Sequence, residues 1–220
     1  MNKMLRQMIS EFLGTFVIIF MGCGAIMIHA VNPEAVASFL IPVIFGAVVS
    51  VMIYTLGHIS GAHFNPAVTV ALSSIGSFPW RCVPFYWASQ IVGASTAIAV
   101  LAYLLPGVAD YGMTSTILSC HQAFVVEIIL TFLLMIVVMG TTDANAHSDM
   151  AGLAIGGIVA LDAFVGGSLT GASMNPARSI APALFAHKLG QLWIYILAPS
   201  IGAIVAAVVY KILLRKTKNT

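Results

Sequence analysis

Charge is what this sequence most lacks. Asp, Glu, Lys and Arg make up only 7% of its 220 residues, seven acidic against nine basic, while 60% are hydrophobic. Soluble domains carry about 25% charged residues. A composition this apolar cannot make a water-facing shell, so the class is a polytopic membrane protein. Cysteine is scarce too: Cys23, Cys82 and Cys120 are odd in number and scattered, which excludes a disulfide framework and shows no metal spacing. Also missing are a nucleophile–base pair and any cluster of metal-ligating side chains. No enzyme, cofactor, metal site or nucleic-acid partner is expected.

The few charges are informative by position. Lys3 and Arg6 precede the first apolar stretch, Lys211, Arg215, Lys216 and Lys218 follow the last, and Arg81 lies in an internal loop. Lys/Arg bias in short loops sets orientation, so both termini are predicted cytoplasmic, which requires an even number of spans. The basic tail is read as topology rather than lipid recognition. The basic start and apolar run of the first stretch resemble a signal peptide, but the run extends to about Ala30 and has Glu11 at its head. An uncleaved span is expected.

A span needs about 20 apolar residues. Stretches at about 9–30, 38–56, 82–105, 121–140, 150–166 and 190–214 qualify. Cytoplasmic termini place 57–81 and 141–149 inside and 31–37, 106–120 and 167–189 outside. Arg81 then obeys the bias and Lys188 breaks it.

Two of these loops carry one motif. Residues 57–69 read GHISGAHFNPAVT and residues 167–179 read GSLTGASMNPARS. A shift of 110 positions, half the chain, pairs Gly57 with Gly167, Gly61 with Gly171, Ala62 with Ala172 and Asn65-Pro66-Ala67 with Asn175-Pro176-Ala177. Glu11 starts EFLGTFVIIF and Glu127 starts EIILTFLLMI, one at the head of each half. Three spans per unit make 1–110 and 111–220 inverted repeats within one transmembrane domain. The apolar residues after each Asn-Pro-Ala, 68–72 and 180–185, predict helices of about ten residues, long enough for half a bilayer at ~1.5 Å per residue. Pro66 and Pro176 suit a first helical turn. The Gly-rich backbone before them is expected to be irregular, which membrane depth permits only where protein or a wet cavity encloses it. Broken helices at a repeat interface point to a transport pathway.

The paired Asn-Pro-Ala boxes, six spans, a Glu leading each half and NPARS in the second box resemble the aquaporin (major intrinsic protein) family over the whole chain. The resemblance implies an all-α membrane fold of six transmembrane helices and two re-entrant half-helices, assembled as a homotetramer in the plasma membrane with one pore per subunit. It implies that Asn65 and Asn175 cap the half-helices and turn amide N–H groups to the lumen, where two helix N-termini add positive potential. Carbonyls of Gly61, Ala62, His63, Gly171, Ala172 and Ser173 would form an acceptor ladder. Arg178, a costly charge at membrane depth, would supply the outer constriction with Phe45, Ala163 and Ala172. Water-selective members place His at the position of Ala163. The two alanines imply a wider aperture for glycerol, urea or metalloid hydroxides such as arsenous acid, with water also passing. Ser179 replaces the Asp common in bacterial glycerol facilitators, and Tyr195-Ile196 looks most like the nodulin-like branch.

The remaining polar residues have two readings each. Glu11 and Glu127 are candidate proton relays, but their duplicated position favours accepting backbone N–H bonds from the re-entrant loops. Asp162 either bonds or tunes the loop bearing Arg178, or is a solvated interfacial carboxylate. His63 is expected to act through its carbonyl and His58 is a candidate pH gate. Gly152 and Gly156 have the spacing of close helix contacts, and the methionines read as core filler. A coupled transporter would share inverted repeats, yet the expected lumen lacks titratable groups other than Arg178. A water-selective channel is the nearer alternative, and a purely adhesive junction role would not need the filter.

Overall fold

The computed structural model describes residues 2–146 and 148–214. Arg215, Lys216 and Lys218 lie outside the described residues. Long helices are α1 (Lys3–Val31), α2 (Leu40–Ser60), α4 (Val83–Leu104), α5 (Cys120–Thr141), α6 (Ala151–Thr170) and α8 (Leu192–Val209), with short helices α3 (Pro66–Ser74) and α7 (Pro176–Phe185). A π-helical turn, Tyr210–Leu214, prolongs α8. Six of these segments are long and apolar enough to cross a membrane. Among the described residues there is no β-strand.

The short helices begin where the Asn-Pro pairs dictate. Asn65 and Asn175 are extended, each accepts the N–H two residues on (Ala67 and Ala177), and each is followed by Pro at the first helical position. That satisfies one orphan donor and removes another. With 9 and 10 residues, α3 and α7 are each about half the ~30 Å hydrocarbon thickness.

The helix ends differ from the sequence expectation. α1 starts at Lys3, not near residue 9, because the Asn2 side chain caps it through the Met4 N–H. α2 and α6 run through Gly57 and Gly167 to Ser60 and Thr170, and stop only at Gly61 (φ 86°) and Gly171 (φ 81°). One glycine costs a helix interior about 1 kcal/mol, too little to end a packed span. A left-handed residue does end it. The irregular backbone is therefore only five residues long in each loop, 61–65 and 171–175.

Packing interlocks the two halves. α1 lies against α2 and α4, α5 against α6 and α8, and α2 against α6. The short helices cross over: α3 packs chiefly on α8, while α7 packs on α4 as well as α8. Glycine permits the closest approaches. A Cβ on Gly93 would strike the Phe12 carbonyl of α1, and one on Gly202 the Ile128 carbonyl of α5. At the α2–α6 crossing, Gly46 lies against the Gly156 carbonyl and Gly156 against Ser50, while Gly152 faces the Tyr54 ring.

Candidate functional site: a lumen closed around two asparagine turns

The two five-residue loops are held in a conformation they would not adopt alone. Ala62 and Phe64, and again Ala172 and Met174, have φ between 42° and 51°. Each such residue costs on the order of 1–3 kcal/mol and persists only where its surroundings over-determine it. Buried carboxylates do that here. Glu11 accepts the N–H groups of His63 (3.0 Å) and Phe64 (2.6 Å), the Ser60 hydroxyl (2.7 Å) and the Gln90 amide (2.8 Å). Glu127 accepts the N–H groups of Ser173 (2.9 Å) and Met174 (3.0 Å) and the Thr170 hydroxyl (2.7 Å). Tyr86 and Tyr195 donate to the last carbonyls of α2 and α6, those of Ser60 and Thr170. Tyr195, singled out in the sequence, thus closes a helix end.

The asparagines tie the loops together. Asn65 Nδ2 donates to the Met174 carbonyl at 2.7 Å, and Asn175 Nδ2 donates to the Phe64 carbonyl at 2.9 Å. A primary amide has two N–H donors, so one on each asparagine is spent on the opposite loop and the other is left. Both residues line a cavity of about 1360 Å³ whose wall includes Phe39, Ser115 and Ile117 as well as His58, Thr142 and Asp149. Gly61, Ala62, His63, Gly171, Ala172 and Ser173 all border it. The His63 ring turns away to Thr69 (Nδ1 to Oγ1 3.1 Å) and packs against Phe78 and Tyr86. In the second loop the Ser173 hydroxyl bonds Ser179 at 2.6 Å, and Thr114 donates to Ser179 at 2.8 Å. Ser179 is fully buried.

Phe45, Ala163, Ala172 and Arg178 border the same cavity. Arg178 is only 4% exposed, and among the described residues it has no carboxylate partner. Its Nη1 donates to the Gly112 carbonyl at 2.7 Å and to Cys23 Sγ at 3.4 Å, and its guanidinium carbon lies 5.3 Å from the centre of the Phe45 ring. A backbone carbonyl and a π face neutralise less charge than a carboxylate, so the guanidinium keeps its field at the cavity wall.

A family model described as "Major intrinsic protein" matches residues 1–210. The chain belongs to the major intrinsic protein family. It is 43% identical over 211 residues to a "Probable aquaporin NIP-type" of Nicotiana alata, covering 95% of this chain and 78% of that one. It is 41% identical to "Aquaporin NIP1-2" of Arabidopsis thaliana, covering 94% and 73%. The X-ray structure of the aquaglyceroporin from Plasmodium falciparum superimposes with a TM-score of 0.88 at 27% identity, covering 96% of each chain. This major intrinsic protein is thus a multi-pass membrane channel with the aquaporin fold.

Several residues that support the cavity wall of this family member from behind escape a sequence reading. Cys23 reads as one of three scattered cysteines, yet it is fully buried and touches Arg178. Gly112 and Thr114 sit in a loop without a motif, and only folding brings them to Arg178 and Ser179. Asp162 is 3% exposed, which rules out a solvated interfacial carboxylate, and its Oδ2 has no hydrogen-bond partner among the described residues. It faces inward because Val159, Asp162 and Gly166 share the buried side of α6. Lys188, the exception to the charge rule, forms an exposed 2.7 Å ion pair with Asp110.

Proposed function

We propose that the chain is a passive channel for small uncharged solutes (glycerol, urea or metalloid hydroxides such as arsenous acid) and for water, and that it excludes protons and ions. The carrying observation is that Arg178, with the Phe45 ring at 5.3 Å, borders the same cavity as the two alanines Ala163 and Ala172. Alanines leave width and apolar surface for a CH-bearing solute, while Arg178 and the ladder carbonyls serve hydroxyl groups. The likeness to the aquaglyceroporin from Plasmodium falciparum supports this reading. A passing oxygen accepts from Asn65 and Asn175 where the positive ends of α3 and α7 meet. A cation is opposed there and again at Arg178. The expected setting is the plasma membrane, with both termini cytoplasmic, residues 1–110 and 111–220 as inverted units of one domain, lipid around it, and four copies per assembly.

Purified protein in liposomes tests this by stopped-flow light scattering with water, glycerol and arsenous acid side by side. All three should move faster than through protein-free vesicles. Movement of water alone would make the chain a water-selective channel and refute the wide-filter reading. Solute accumulation driven by an ion gradient would instead indicate a coupled transporter.

A further inference from the structure

α1 carries a stripe at four-residue spacing: Gly14, Ile18, Gly22 and Ile26. Residues four apart lie on one helix face. The two isoleucines line the lumen directly. At the two glycines an aromatic ring from another element stands in front of the helix. A Cβ built on Gly14 would overlap the Phe64 ring, and one on Gly22 would fall within 2.6 Å of Cδ1, Cε1 and Cζ of Phe45. Because Ile18 and Ile26 reach the lumen from this face, Gly22 sits behind Phe45 as seen from the lumen. The ring is bounded by α1 at its back and by the Arg178 guanidinium at 5.3 Å on one face, and it borders the cavity.

We infer that Gly22 is a specificity-determining residue: the notch it leaves in α1 sets how far Phe45 stands out of the lumen, and so sets the width of the constriction. The inference rests on the reading that Phe45, Ala163, Ala172 and Arg178 select the solute. Neither Gly22 nor Cys23 forms the selecting surface, yet consecutive residues on one helix seat two of its members. Gly22 makes room for the Phe45 ring, and Cys23 bonds Arg178. A methyl group in the notch meets the far end of a side chain rather than backbone, so the ring yields and the helix stays. Phe45 then advances toward Ala163 and Ala172, and the larger solute loses passage before water does.

The test is the ratio of glycerol to water permeability in proteoliposomes for wild type, Gly22→Ala, Phe45→Leu and the double variant. Gly22→Ala should lower the ratio by about tenfold, an added barrier of ~1.4 kcal/mol, with water flux largely kept. Phe45→Leu alone should raise it. In the Phe45→Leu background, Gly22→Ala should have little effect, because the ring it displaces is gone; that non-additivity is the signature of contact. If Gly22→Ala fails to fold, the double variant should recover folded protein. A ratio that responds to Phe45→Leu but not to Gly22→Ala overturns the inference and leaves the filter reading standing. A ratio moved by neither overturns both. A double variant no better folded than a failing single one also overturns it.

Discussion

Single residues at the proposed constriction act through size and through what they leave unpaired. Ala163 and Ala172 contribute only methyl groups, so the lumen there is as wide as α6 and the second loop allow. Replacing both, Ala163→His with Ala172→Cys, adds bulk and a ring donor beside Arg178. Glycerol permeability should fall at least tenfold, ~1.4 kcal/mol of barrier, while water permeability survives; stopped-flow measurement of both solutes checks this. Unchanged glycerol flux would show that these positions do not form the constriction. Glu11 and Glu127 act differently. Their oxygens are occupied by loop N–H groups and hydroxyls, and each pair of bonds keeps two left-handed non-glycine residues in place. Removing an acceptor would strand buried donors at about 1–3 kcal/mol each.

Helices in this molecule meet where glycine lets them. Gly202 brings α8 onto the Ile128 carbonyl of α5, and Gly93 brings α4 onto the Phe12 carbonyl of α1. Gly202→Ala should cost about 1–3 kcal/mol through overpacking and lower the thermal unfolding midpoint of the detergent-solubilised protein. Gly157→Ala is the matched control on α6, where a Cβ meets nothing within 4 Å, and it should leave the midpoint unchanged or raised. An equal drop in both would mean that contact distance is not what glycine serves here. The short helix α3 has its own support. Lys211 Nζ donates to the Ile75 carbonyl at its C-terminal end at 2.6 Å, so a lysine read as a topology signal also meets the negative end of a helix dipole.

At the scale of the whole molecule, the passage belongs to neither half. Asn65 bonds the second loop and Asn175 the first, and α3 and α7 pack on the last long helix of the opposite half. Two helix N-termini aimed at one point predict a barrier to cations. In proteoliposomes given a pH step and loaded with a pH-sensitive dye, proton entry should match that of protein-free vesicles. The double variant Asn65→Asp with Asn175→Asp places acid at both positive ends and should raise cation leakage. Rapid proton entry through the wild-type channel would refute the dipole account.

Much of the fold was legible in the sequence because its signals are local or periodic. Six apolar runs, two Asn-Pro turns and a 110-residue repeat each reflect a rule acting along a short segment: the bilayer demands length, Asn caps, and Pro opens a helix. The filter candidates could be named through the family resemblance to the same repeats. Helix ends were less legible, since packing carried α2 and α6 past Gly57 and Gly167. The support behind the lumen was not legible at all. Cys23 lies 155 positions from Arg178 and Gly112 lies 66 from it, and neither belongs to any pattern. The sequence by itself determined a membrane channel with two opposed asparagine turns. Only the tertiary structure decided where Arg178 rests, what stands behind Phe45 and that Asp162 is buried, because those contacts join residues through space and leave no periodic trace in the chain.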